Sequence, residues 1–283
     1  MTTDAKDTSS ISFTAHYTGF VWYRFGLSHP AFATRQGCSY LQVLRALEVA
    51  ARRVIGSDIR TTLLQRHHLI DRELEQLIRS HPDLQIVELA CGLSPRGWRM
   101  HRHYPHVTYI EADLQGMAAR KHDLLSKLDS LDGRHRVQVC NILIEDSPES
   151  LESLLIRELD RHRPVVVITE GLVNYFRLEK IRGFWTRLAN ALKAFPEGHY
   201  LTDIYPQVTH HRFFHWIRLA NNTLRMSSRS HFTMHFEQPG EAALCFRESG
   251  FDAVTVLDPD QDEIAGMPKA RGGALVWVIR AEI

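Results

Sequence analysis

From residue 84 onward, short apolar runs alternate with stretches of helical periodicity, and this alternation constrains the chain more than any other feature. The runs 85–90, 107–113, 136–142, 165–170, 200–205, 253–257 and 274–280 read as strands, and 97–104, 114–128, 150–159 and 178–194 suit helices between the first five. Parallel strands linked through helices take right-handed crossovers, because a right-twisted strand feeding a helix packs back onto its sheet only that way. The runs at 85–90, 165–170 and 274–280 are rich in Val and Ile, as strands covered on both faces require. Only a Pro-, Asp- and Gly-containing loop, 258–273, joins the last two runs, which suits an antiparallel hairpin. The expectation is an α/β chain with a Rossmann-like, seven-stranded, mostly parallel sheet and a C-terminal antiparallel hairpin.

Two stretches stand outside this alternation. Residues 11–80 look mainly helical, best at 41–53 and 61–78, and are expected to form an N-terminal cap. Residues 207–237, crowded with His, Arg and aromatic side chains, read as a lid inserted between the fifth and sixth strands. No repeat or low-complexity linker divides the 283 residues, so one domain is expected, its core at 84–206 and 238–283. The net charge of +1 offers no electrostatic reason to expect nucleic acid or an anionic membrane as partner. No apolar run approaches the ~20 residues that span a bilayer, and residues 1–10 lack the apolar segment of a signal peptide. Cysteines at 38, 91, 140 and 245 form no CxxC pair, which argues for a reducing, cytoplasmic setting without a structural zinc.

In an open α/β sheet, ligands sit beyond the carboxyl ends of strands, where strand order reverses. The first strand ends in Glu88-Leu89-Ala90-Cys91-Gly92-Leu93-Ser94-Pro95-Arg96-Gly97. Small residues at Ala90 and Gly92 let a ligand approach the backbone, and Ser94 and Pro95 suit a helix start. No evenly spaced glycine triplet is present to accommodate a pyrophosphate, which disfavours an NAD-dependent oxidoreductase. S-adenosylmethionine has no phosphate and tolerates fewer glycines. The second strand ends in Glu111-Ala112-Asp113-Leu114, placing an acid where ribose hydroxyls are bound; the third ends in Asn141-Ile142, suited to an adenine edge and face; the fourth ends in Glu170-Gly171. Taken singly, Gly92 reads as an ordinary turn glycine, while Asp113 reads equally as a helix N-cap and Glu170 equally as a surface carboxylate. Four successive strand ends of this kind point to S-adenosylmethionine, with S-adenosylhomocysteine as product.

The same residues, followed by Lys121 and by Thr169-Glu170-Gly171-Leu172 and Tyr175, resemble the leucine carboxyl methyltransferase family, closest to its bacterial branch of polyketide-type O-methyltransferases. Ser12-Phe13-Thr14-Ala15, Tyr17, Val21-Trp22-Tyr23, Gly26-Leu27-Ser28, and Arg66 with Ile70-Asp71 are similar to that branch as well. The resemblance implies that Arg66 pairs with the cofactor carboxylate and that Gly92 packs near that end; Glu88 and Ala90 of the same turn are also taken as cofactor-binding. It further implies Asp113 at the ribose, Asn141 and Ile142 at the adenine and Glu170 near the methionine, with Leu114 and Gly171 also taken as cofactor-binding. This sequence departs from the Gly-Ala-Gly type turn of the leucine-carboxyl members with Ala90-Cys91-Gly92, and has Asn141 where they often have Asp.

Methyl transfer from a sulfonium chiefly requires alignment and exclusion of water. A carboxylate acceptor is ionised at neutral pH and needs no base, whereas a phenol benefits from one. Tyr17, Tyr175 and Tyr205 are the candidates for the acceptor pocket, and no catalytic residue is singled out. His210, His211, His215, His231 and His235 lie in the expected lid, where one of them serving as a base is the minority reading. The pairs His211/His215 and His231/His235 have helical metal-ligand spacing, but nothing is spaced to complete a site, so no metal is expected. The expected activity is O-methylation of a carboxylate or hydroxyl of a small metabolite. The alternatives are methylation of a protein or peptide C-terminal carboxylate, and a non-catalytic S-adenosylmethionine-binding module. The oligomeric state is not legible in the sequence.

Overall fold

The computed structural model describes residues 8–42, 59–207, 233–270 and 273–283. Residues 43–53 of the expected helix at 41–53, and most of the 207–237 insertion, including His210, His211, His215 and His231, lie outside the described residues.

The strands are β1 (Gln85–Leu89), β2 (Thr108–Asp113), β3 (His135–Val139), β4 (Val165–Thr169), β5 (Gly198–Ile204), β6 (Ala253–Leu257) and β7 (Trp277–Glu282). The helices are α1 (Thr8–Arg24), α2 (Ile59–Ser80), α3 (Arg96–His103), α4 (Gln115–Ser126), α5 (Leu151–Glu158), α6 (Leu178–Leu192) and α7 (Pro239–Glu248), with 3-10 turns at Pro30–Phe32 and Val173–Tyr175. No described helix is long and apolar enough to cross a membrane.

The seven strands form one sheet in the order β3-β2-β1-β4-β5-β7-β6. β1 to β5 pair in parallel, and β7 pairs antiparallel with both β5 and β6, which is the expected terminal hairpin. The chain builds outward from β1 through β2 to β3, then returns to β4 on the other side of β1. Strand order therefore reverses between β1 and β4, where Leu89 pairs with Thr169.

Successive strand residues point to opposite faces. One face carries Val87, Leu89, Ile110, Ala112, Val165, Val167, Tyr200 and Ile204, packed against Leu151, Leu154, Phe184, Trp185 and Phe246 of α5, α6 and α7. The other carries Ile86, Tyr109, Val166, Ile168 and Leu201 against Leu69, Ile70, Leu74 and Ile78 of α2 and Met100 of α3. The same alternation sends Glu88, Glu111, Glu170 and Asp203 to this second face. Buried carboxylates there need cationic partners from the covering helices.

Three sequence expectations need correction. β3 ends at Val139, leaving Asn141 and Ile142 in the following turn, where Asn141 Oδ1 accepts the Leu143 amide at 3.0 Å. That local bond competes with the ladder. β7 lies at Trp277–Glu282 instead of 274–280, because its pairing with β5 carries through to Glu282 opposite His199. Helix α7 was not anticipated, although its start carries Pro239 at the first turn and a reciprocal Gln238–Glu241 capping box.

Candidate active site

The turn after β1 is built by Asp113. Its Oδ2 accepts the Gly92 amide and its Oδ1 the Leu114 amide, each at 2.7 Å, so the end of β2 fixes the turn of β1 beside it. Burial raises the Asp113 pKa despite those two donors. Two turn residues are left-handed, Ala90 at φ 51° and Gly92 at φ 50°; for Ala that conformation is strained. A Cβ at Gly92 would lie 3.4 Å from Cβ of Ala15, and one at Gly19 3.3 Å from Cβ of Leu93, so α1 lies directly across the turn. Ser94 Oγ accepts the Arg96 amide at 3.3 Å, but the N-cap residue of α3 is Pro95, not Ser94 as its sequence suggested.

Behind the turn lies a buried lattice of charges centred on Arg96. Its Nε donates to Asp71 at 2.7 Å, Nη1 to Glu88 at 2.7 Å and Nη2 to Glu170 at 2.5 Å. Glu88 also accepts the Tyr109 hydroxyl at 2.7 Å. Both Glu88 oxygens are thus engaged within the protein, and the residue is 1% exposed. Arg99 pairs with the second oxygen of Asp71. His67 Nδ1 lies 2.9 Å from Glu170 Oε2 and its Nε2 2.9 Å from Arg99 Nη2. Burial lowers the His67 pKa, and Arg96 Nη2 also lies 2.9 Å from its Nδ1. Burial alone would raise Glu170, but Arg96, His67 and Arg66 hold it well below the usual carboxylate range.

Arg66 joins this lattice to the rim. Its Nε donates to Glu170 Oε1 at 3.0 Å, and Nη1 to Asp203 Oδ2 and the Tyr205 hydroxyl at 3.1 Å each. Burial opposes its charge; Tyr205, Asp203 and Glu170 outweigh that, so its pKa is raised. Nη2 makes none of these bonds and lies against Gly171, where a Cβ would come within 2.8 Å of it. Gly171 is left-handed at φ 70° and donates its amide to Asp203 Oδ1 at 2.5 Å. Both oxygens of Glu170 are thus engaged, Oε1 by Arg66 and Oε2 by Arg96 and His67.

Glu111 belongs to a separate cluster. It pairs with Lys121, lies 2.8 Å from His135 Nε2 and is fully enclosed, so it is not available to a ribose. Lys121 also donates to the Ser94 carbonyl at 2.5 Å, holding the turn from beneath. Gly97 is required here, because its Cβ would collide with the Glu111 carboxylate.

Of the acceptor candidates, Tyr205 and Tyr175 come together on the rim. Tyr205 bonds Arg66, and burial raises its phenol pKa, with Tyr175 among the groups that act on it. Tyr17 instead sits 3% exposed in the α1–α2 cluster with Val21 and Leu63, because its helical position faces α2. Asn174 bridges the rim: Oδ1 accepts the Tyr205 amide at 2.9 Å, and Nδ2 donates to the Thr233 carbonyl at 2.6 Å. His235 follows closely, its pKa lowered first by burial and its Nε2 without a hydrogen-bond partner. Ile142 is buried at 7% exposure, while Asn141 and Leu114 are half-buried.

Sequence reading missed Arg96, His67, Asp203 and Asn174. Arg96 stood inside the quoted turn, and Asp203 shares a face with Tyr205 two residues on, so period-2 alternation carried the signal for the latter.

A sheet in this order, with an antiparallel β7 and a carboxylate-fixed glycine turn at its switch point, is the fold of the class I S-adenosylmethionine-dependent methyltransferases. Residues 30–188, more than half of the chain, match the family described as leucine carboxyl methyltransferase, and the chain belongs to that family. A DUF574 family protein from Streptomyces avermitilis superposes with a TM-score of 0.64 at 15% identity, over 95% of this chain and 96% of the other. A protein from Thermobifida fusca, provisionally described as a methyltransferase, gives 0.61 at 14% identity over 94% and 93%. At these identities the likeness is one of fold. A search of curated proteins finds no match.

S-adenosylmethionine carries a carboxylate, a ribose diol and an adenine, and the residues present fit it. Asp113 keeps acceptor capacity beyond its two amide bonds. Arg66 keeps Nη2 for a carboxylate, although not the full fork, since Nε and Nη1 are engaged. Gly92 leaves backbone open at the switch point, and Gly171 makes room there for the Arg66 guanidinium.

Proposed function

We propose that this chain is an O-methyltransferase acting on a carboxylate, or a hydroxyl, of a small polyketide-like or other metabolite. In this reading Asp113 holds the ribose of S-adenosylmethionine, Arg66 its carboxylate, and Asn141 and Ile142 its adenine. When bound, the cofactor supplies an electrophilic methyl group. The chain's own contribution, within a single domain, is orientation and exclusion of water, with α1 across the Gly92 turn.

The observation that carries the reading is the fixing of Arg66 beside Gly171 by Glu170 and Asp203, next to a turn fixed by Asp113. A carboxylate acceptor is favoured because it needs no base, and the rim phenol Tyr205 has a raised pKa and is already bonded to Arg66. The test is transfer of isotope-labelled methyl from S-adenosylmethionine to a panel of small carboxylic acids, phenols and C-terminal peptides. Labelled small-molecule ester or ether supports the proposal. Labelling of peptides alone, or binding without any transfer, contradicts it.

A further inference from the structure

The opposite end of the sheet carries a cluster that methyl transfer does not use. His81 follows α2, Glu197 precedes β5, and His199 is the second residue of β5. Their ligand atoms all lie within 4.8 Å of one another. His81 Nε2 is 2.9 Å from Glu197 Oε2, and His199 Nε2 is 3.8 Å from the same oxygen. Three features set this apart from a chance surface grouping.

First, His199 is 7% exposed, and neither of its ring nitrogens has a hydrogen-bond partner. A buried polar group without a partner is costly, and histidines of this kind are ordinarily satisfied. Second, His81 Nδ1 lies 3.2 Å from the Leu77 carbonyl. A metal-ligating histidine usually donates its other nitrogen to such an acceptor, which fixes the ring with Nε2 toward the ion. Third, the backbone on both sides is anchored: the Glu197 carbonyl accepts the Val165 amide at 2.9 Å, and the Gly198 carbonyl accepts the Ile283 amide at 2.9 Å.

We propose that His81, Glu197 and His199 form a divalent transition-metal site, suited to Zn2+, that ties the end of α2 to the start of β5. Two imidazoles and a carboxylate are a borderline donor set of the kind zinc prefers, and a water completes four-coordination. Tetrahedral Zn2+ with bonds of ~2.0–2.1 Å separates its ligand atoms by about 3.3 Å, a value bracketed by the separations of 2.9 Å and 3.8 Å from Glu197 Oε2. Arg280 and Glu282 of β7 also face His199, Glu282 as its partner across the β5–β7 ladder. The role is structural, since His199 and Asp203 stand about 13 Å apart along β5 at opposite ends of the strand. Sequence spacing hides the cluster because its members come from distant segments.

The test uses the full chain, stripped with EDTA and exchanged into metal-free buffer, titrated with ZnCl2 and separately with MgCl2 by calorimetry. Expected is a Zn2+ site that Mg2+ does not occupy, weakened about tenfold or more in His199→Ala and in Glu197→Gln. Zn2+ should also raise the melting temperature of the unmodified chain more than that of either variant. Should His199→Ala fold poorly in EDTA, Glu197→Gln at the exposed ligand gives the same reading. Zn2+ affinity and stoichiometry equal in the unmodified chain and the variants, or absent from all, would overturn the proposal. The readout is independent of methyl transfer, so it stands or fails apart from the proposed activity.

Discussion

Arg66 Nε donates to Glu170 Oε1 at 3.0 Å across 104 residues of sequence, joining the covering helix α2 to the end of β4 at the switch point. Glu170 also receives Arg96 and His67, so one carboxylate orients the rim guanidinium and neutralises the lattice beneath it.

Replacing Glu170 leaves two buried guanidiniums short of a partner. Glu170→Gln is expected to cost about 3–5 kcal/mol of folding stability, the range for breaking a buried ion pair from one side. The pH dependence follows from the direction of the shifts. Glu170 and Asp71 are held below their ordinary values in the folded state, so below about pH 5 the unfolded chain binds protons that the folded chain does not. Their stabilisation is present above the unfolded pKa and is lost as pH falls. Burial raises Asp113 and Asp203, which act with the opposite sign. Urea unfolding from pH 7 to pH 4 should show a shallower acid limb in Glu170→Gln; parallel limbs would contradict this account.

Asp113→Ala should weaken both S-adenosylmethionine and S-adenosylhomocysteine by about 1.5–3 kcal/mol through loss of charge-assisted hydrogen bonds. It should also lower the melting temperature, since the Gly92 and Leu114 amides lose their acceptor. A stability loss with unchanged affinity would confine Asp113 to a structural role.

Ala90 holds a left-handed conformation that glycine adopts without strain. Ala90→Gly should be neutral or stabilising by up to about 1 kcal/mol, relief of strain being partly offset by the entropy glycine loses on folding. Ala90→Val should destabilise clearly. Chemical denaturation of the two variants decides it: a large loss in the glycine variant would mean that the Ala90 methyl group carries packing the turn needs.

Gly97 and Gly183 are both helical, yet alanine should act on them in opposite directions. At Gly97 the added methyl meets the buried Glu111 carboxylate, and overpacking there should cost about 1–3 kcal/mol. At Gly183, within α6, nothing lies within 4 Å, and helix propensity should bring a gain of about 0.5–1 kcal/mol. Melting temperatures that move the same way in both variants would contradict the packing assigned to Gly97.

The strands, the switch-point turn and the acids at the ends of β2 and β4 were legible in the sequence, because two-fold alternation and strand-end chemistry are local. What the acids do was less legible. Glu88, Glu111, Asp113 and Glu170 look alike as strand-end carboxylates, and only the approach of α2, α3 and α4 separates them. Arg96 takes Glu88, Lys121 takes Glu111, and backbone amides take Asp113. Arg96 read as part of a turn because its partners come from elsewhere in the chain. Asn141 read as a strand end because its bond to the Leu143 amide, which turns the chain after β3, has no signature in an apolar pattern. Tyr17 read as a pocket residue; in the fold it is buried with Val21 and with Leu63 of α2.

The most direct test of the central claim is a calorimetric titration of S-adenosylmethionine into the full chain and into Arg66→Lys, which keeps the charge but not the planar fork held by Glu170 and Asp203. The account predicts one equivalent bound by the unmodified chain, and markedly weaker binding of S-adenosylmethionine and S-adenosylhomocysteine alike in the variant. No binding to the unmodified chain, or equal affinity in the two proteins, would contradict it.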